Sequence, residues 1–162
     1  MKVFCIAALS ADGFIAKNAE DTLEWRSLED KRFFREKTME AGVVVMGKNT
    51  YESIGKSLKG RLNLVYSLEP IEGVETTQKE PRELLSELEK RGYEQVAVIG
   101  GSSVYTQFLQ ARVVDTLYLT YEPVLLGKGI KLLNEGMELR LKLVSQQKLG
   151  EGRMLLEYNV NE

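Results

Sequence analysis

The chain has 162 residues, a formal net charge of −2, no histidine and one cysteine. That length suits one domain, residues 1–162, and the charge lacks the basic excess of a nucleic-acid-binding surface. Without histidine there is no Ser-His-Asp or Cys-His nucleophile pair and no ordinary catalytic zinc site, so no metal site is expected. One cysteine forms neither an internal disulfide nor a Cys-x-x-Cys redox pair. Any enzymatic role would therefore lean on a bound cofactor, leaving a buried carboxylate as the best proton carrier.

Residues 3–9 form an apolar run without alternation, as in a strand buried on both faces. Cys5 lies inside it and reads as an inert core thiol. Residues 10–24 are a long irregular stretch, of the kind that is functional or mobile. Ser27 can cap a helix, Ser27-x-x-Asp30 approximates a capping box, and the helix runs to Ala41 before Gly42. Residues 43–46 are a second buried strand ending at Gly47, and Asn49-Thr50 can cap a short helix through Ile54. Residues 64–66 are a third strand. Residues 81–91 are the clearest helix, with Pro81 at its start, Leu84, Leu85 and Leu88 on one face and Gly92 beyond. Residues 96–99 are a strand reaching Gly100-Gly101, followed by a helix over 103–110 and a strand over 116–121. Residues 139–160 read as two strands joined through Gly150-Glu151-Gly152. The pattern predicts an α/β single domain, with a mostly parallel central sheet flanked by helices and a C-terminal antiparallel hairpin.

Four motifs bear on chemistry. In Val98-Ile99-Gly100-Gly101-Ser102-Ser103-Val104-Tyr105, glycines after a buried strand let a ligand approach the backbone, and a helix start offers free N–H groups to a phosphate. A tight strand-to-helix turn without a ligand explains it equally well, since neither Gly-x-Gly-x-x-Gly nor a P-loop ending is present. Met46-Gly47-Lys48-Asn49-Thr50 repeats the strand-glycine-helix plan with a cation that would suit a 2′-phosphate; a solvated lysine is the plainer reading. Gly60-Arg61-Leu62-Asn63 places an arginine fork where it can face a carboxylate or simply water. Asp30 and Phe34 are one turn apart on one helix face, so a carboxylate beside an aromatic ring could pair with an amidine-like heterocycle. Against that, Asp30 could serve only the helix cap.

Taken in order, these segments resemble the dihydrofolate reductase family. The likeness runs through Ile6-Ala7-Ala8-Leu9, Trp25-x-x-x-x-Asp30-x-x-x-Phe34, Val45 to Gly55, Leu58-Lys59-Gly60-Arg61-Leu62-Asn63, Val98 to Leu109, and Leu117-Tyr118-Leu119-Thr120. The resemblance implies NADPH-dependent reduction of dihydrofolate to tetrahydrofolate, with hydride transfer to C6 and protonation at N5. It implies that Asp30 binds the pterin and helps supply the proton, that Thr120 bonds that carboxylate, and that Trp25 holds a water nearby. Arg61 would grip the carboxylate of the glutamate tail, and Ile6, Phe34, Ile54 and Leu58 would line the substrate pocket. For the cofactor, Ala8, Ile15 and Ala16 would flank the nicotinamide with Tyr105 near it. Gly100, Gly101, Ser102, Ser103 and Val104 would take the pyrophosphate, Lys48, Asn49, Thr50 and Ser67 the adenosine half, and Gly47 and Ile99 would belong to the same cofactor site. Residues 16–24 would be a lid. The expected setting is cytoplasmic, as monomer or homodimer, with no membrane or nucleic-acid partner.

The chain also departs from that pattern. The lid is longer than the common bacterial form and has Leu23-Glu24 before the tryptophan instead of Met-Pro. Lys31 replaces an apolar residue, implying a more polar pocket edge. Glu122-Pro123-Val124-Leu125-Leu126-Gly127-Lys128-Gly129 and Ser10 to Ala16 resemble instead the riboflavin-pathway reductases, which share the fold and reduce a phosphoribosyl aminopyrimidine with NADPH. A non-catalytic NADPH-binding module is the third reading.

Overall fold

Side-chain alternation in the apolar strands sets the layering. The computed structural model describes residues 1–160. In β1 (Lys2–Ser10), Val3, Cys5, Ala7 and Leu9 enter one core cluster while Phe4 and Ile6 enter another. A strand has a side-chain period of two, so a run apolar at every position must be covered on both faces.

The chain continues through β2 (Phe14–Ala16), α1 (Leu28–Ala41), β3 (Val43–Gly47), α2 (Lys48–Ile54), β4 (Leu62–Tyr66), β5 (Glu75–Thr77) and α3 (Pro81–Lys90). It then forms β6 (Gln95–Gly100), α4 (Ser102–Gln110), β7 (Thr116–Glu122), β8 (Ile130–Lys131), β9 (Lys142–Lys148) and β10 (Met154–Asn159). Eight strands make one sheet in the order β5-β4-β3-β6-β1-β7-β10-β9. The first six are mutually parallel, and β10 and β9 close the sheet as an antiparallel hairpin. Leu84 and Leu88 of α3, with Val104, Phe108 and Leu109 of α4, fill one face. Phe33, Phe34 and Ala41 of α1 and Tyr51 and Ile54 of α2 fill the other.

The entry to α1 matters most for the site. Ser27 Oγ accepts the Asp30 N–H at 3.0 Å, and Gly42 ends the helix at φ +77°. Such a cap stabilises by about 1 kcal/mol. The reciprocal half of a capping box is absent, because the Ser27 N–H donates to Glu122 Oε2 at 2.7 Å, from the end of β7. Glu122 also accepts from Arg153 Nε at 2.8 Å and is 1 % exposed. The Asp30 backbone therefore serves the cap while its carboxylate is left to other partners.

Several boundaries differ from the sequence reading. The stretch over 10–24 starts inside β1 and contains β2, which pairs with β8 in a separate two-stranded sheet. Both β8 and β5 are too short to carry a periodic signal. Asn49 and Thr50 lie within α2, whose cap position is Gly47 with no side-chain bond. Helix α4 begins at Ser102, one residue early, because Gly101 holds its cap position.

Candidate active site

A cavity of about 780 Å³ opens at the C-terminal ends of β1, β3 and β6. In an open α/β sheet this is where the chain direction around the sheet reverses and loops diverge, leaving a crevice. Ile6, Ala7 and Ala8 of β1 form its floor, with Gly47 and Ile99-Gly100 from the two neighbouring strands.

One end is built from α1. Asp30, 2 % exposed, and Phe34 both reach the wall beside Ile6. Arg26 lines the same end: its Nε donates to Asp30 Oδ2 at 2.6 Å, and its guanidinium carbon lies 5.2 Å from the Phe34 ring centre. Lys31, expected to make this edge polar, is exposed and does not line the cavity; Arg26 is the cation there. Tyr105, buried under the floor, donates its hydroxyl to the Ile6 carbonyl at 2.6 Å. Burial, then the neighbouring Cys5, pushes the phenol far up, so it remains a donor.

The other end is a glycine cradle. Gly100 has φ +127°, in the region that favours glycine, and a Cβ on Gly101 would meet Thr50 Oγ1 at 3.3 Å. A Cβ on Gly47 would meet Val104 Cγ2 at 3.3 Å. The cradle is thus backbone-walled, and the first N–H groups of α4 (Ser102, Ser103, Val104) have no intrahelical acceptor. Lys48, Asn49 and Thr50 border it, with Lys131 across the opening. This donor-rich, acid-free wall fits a dinucleotide phosphate.

The lid closes the third side. Asp21 accepts from the Lys17 N–H at 2.7 Å, the Leu23 N–H at 2.8 Å and the Trp25 indole N–H at 3.0 Å. Burial raises the Asp21 pKa, but those three hydrogen bonds and the Lys17 charge outweigh it, leaving it below the usual carboxylate value. Ser53 Oγ donates to the Ala19 carbonyl at 3.2 Å, fastening the lid to α2. Ile15 and Ala16 line the cavity from β2. A Cβ on Gly129 would stand 2.3 Å from the Ala16 carbonyl oxygen, so this contact with the segment before β8 admits only glycine.

Most residues expected at the site share this cavity, but Trp25, Ile54, Leu58, Arg61, Ser67 and Thr120 do not line it among the described residues. The Trp25 indole N–H is committed to Asp21. Ile54 and Leu58 pack with Phe34 against the α1-side core. Arg61 donates Nη1 to Thr38 Oγ1 and Nε to the Lys59 carbonyl, each at 2.9 Å. Burial, then the charge of Arg35, lowers the Arg61 pKa. Thr120 is buried in β7, in register with Ala8. Ser67 borders a separate hollow beside β5 and bonds the Glu69 carbonyl. Sequence reasoning missed Arg26, Asp21, Ser53, Tyr66, Gln107 and the 129–134 wall. It also missed Asn63, whose side chain ties Leu58 to Arg61 through three hydrogen bonds. Asp21, Arg26 and most of the 129–134 wall lie outside regular helices and carry no periodicity, while Ser53, Asn63, Tyr66 and Gln107 are single residues within α2, β4 and α4 that no sequence pattern sets apart.

Residues 2–122 match the family described as dihydrofolate reductase. The chain belongs to that family. Dihydrofolate reductase type 3 of Salmonella typhimurium is 36% identical over 126 residues, 75% of this chain and 72% of that protein. The dihydrofolate reductase of Enterococcus faecalis, complexed with NADP(H) and RAB-propyl, superposes with a TM-score of 0.79 at 26% identity, over 99% of this chain and 97% of that one. A Shewanella sp. PV-4 protein assigned to riboflavin biosynthesis superposes over 100% of both chains, with a TM-score of 0.84 at 21% identity. That last likeness is one of fold. The family match ends at Glu122, while the superposition on the Enterococcus faecalis enzyme runs on through the later wall of the cavity and the hairpin.

Proposed function

We propose that this chain reduces 7,8-dihydrofolate to 5,6,7,8-tetrahydrofolate with NADPH, by hydride transfer to C6 and protonation at N5. The observation carrying this is a buried carboxylate, Asp30, on the wall of the same cavity as the glycine cradle, in a member of the dihydrofolate reductase family.

When bound, NADPH supplies the hydride. The residues for holding it are Gly47, Gly100, Gly101 and the N–H groups of Ser102, Ser103 and Val104 at the phosphates. Lys48, Asn49 and Thr50 would serve the adenosine half, and Ala8, Ile15 and Ala16 the nicotinamide. Asp30 accepts from the 2-amino group and adjacent ring N–H of the pterin, orienting it against Phe34 and Ile6, and polarises water for delivery of a proton toward N5. Tyr105 holds the Ile6 carbonyl in place from below. Arg61 meets the glutamate tail outside the cavity proper. The lid excludes water, which strengthens each of these polar contacts.

A second reading, reduction of a phosphoribosyl aminopyrimidine, draws on the riboflavin-pathway resemblance of residues 10–16 and 122–129, from which Ile15, Ala16 and Gly129 line the cavity. The deciding experiment is NADPH oxidation by the purified protein with dihydrofolate, beside a parallel assay with the phosphoribosyl aminopyrimidine. Turnover with dihydrofolate alone is expected. Turnover with the pyrimidine alone would retain the cofactor site and discard the folate reading.

A further inference from the structure

Arg26 has the chemistry of the ligand that Asp30 is proposed to bind. A guanidinium is planar, offers parallel N–H donors along one edge and stacks on aromatic faces. The pterin's 2-amino group and ring N–H form the same kind of edge on the same kind of plane. In the structure, Arg26 Nε bonds Asp30 Oδ2 at 2.6 Å, and its plane lies by the Phe34 ring at 5.2 Å. The carboxylate is 3 % exposed and the arginine 17 % exposed, so neither charge is fully screened by solvent. Both side chains face the cavity.

We propose that Arg26 is a built-in competitor of the substrate, a specificity-determining residue that takes the heterocycle's place on Asp30 and must swing aside for it to bind. This rests on the folate reading above. A buried carboxylate without a partner is costly, so the free protein favours the paired arrangement. A ligand that needs the unpaired one binds with its affinity reduced by the fraction of molecules that are open. The Arg26 N–H donates to the Leu23 carbonyl at 3.1 Å, so the residue that must move is anchored on the last turn of the lid.

The test compares wild type with Arg26→Leu and Arg26→Gln, the glutamine keeping a neutral donor for Asp30 where leucine alone fails to fold. Calorimetric titration with a 2,4-diaminopteridine inhibitor reads affinity without turnover, and dihydrofolate KM is measured alongside. If the paired state holds about nine-tenths of the free protein, inhibitor Kd and substrate KM fall about tenfold in Arg26→Leu. Arg26→Gln falls between it and wild type. Unchanged or weakened binding in both variants, with the wild type turning over dihydrofolate, overturns the role of Arg26 alone. No dihydrofolate turnover or inhibitor binding by the wild type overturns the folate reading and this proposal with it.

Discussion

At the scale of single residues, the site depends on which part of Asp30 does what. Its N–H is spent on the Ser27 cap and its carboxylate is presented to the cavity. Asp30→Asn therefore keeps the helix start and removes the charge. Dihydrofolate reduction at neutral pH is expected to fall on the order of 10²-fold or more, the usual worth of a positioned proton-handling group. NADPH affinity should stay nearly constant, since the cradle lies at the other end of the cavity. Stopped-flow reduction and cofactor titration measure the two separately; an unchanged rate would remove Asp30 from the chemistry. The spacing of Trp25, Asp30 and Phe34 made this carboxylate legible in the sequence. Arg26 was not, because nothing in its neighbours marks it apart from a solvated surface arginine.

At the scale of elements, the strands and helices punctuated by glycine, proline or a capping serine were readable, because those residues act through local geometry. What could not be read is pairing over distance. Glu122 reaches Ser27 across 95 positions and Arg153 across 31, so α1 is seated by β7 and by the terminal hairpin. Glu122→Ala leaves the buried Ser27 N–H without its acceptor and Arg153 with only its bond to the Glu151 carbonyl, and is expected to cost about 1–3 kcal/mol. Glu122→Gln retains an acceptor for Ser27 and should cost less. Urea unfolding of both variants measures this, and equal losses would mean that the charge on Glu122 carries the whole effect and that the acceptor and shape kept by glutamine contribute nothing.

Across the whole molecule, the lid side and the segment after β7 are fastened by one exposed carboxylate. Asp12 accepts from Ser10 Oγ at 2.6 Å, and from the Gly127 and Leu126 N–H groups at 2.7 and 3.1 Å. These bonds hold its pKa at about 2, below the ordinary 3.8. The folded value is the lower one, so the stabilisation is complete above the ordinary carboxylate range and is lost as pH falls through about 2. The Tm gap between wild type and Asp12→Asn should be constant from neutral pH down to about 5 and narrow from about 4 toward 2. A gap independent of pH over that range would place the fastening elsewhere. Trp25 adds an optical consequence. It is the chain's one indole, half-buried where the lid meets α1, with its N–H on Asp21. Its fluorescence is a natural gauge of that hinge: emission that shifts to longer wavelength reports water reaching the ring as the Asp21 bond opens, and no second tryptophan dilutes the signal.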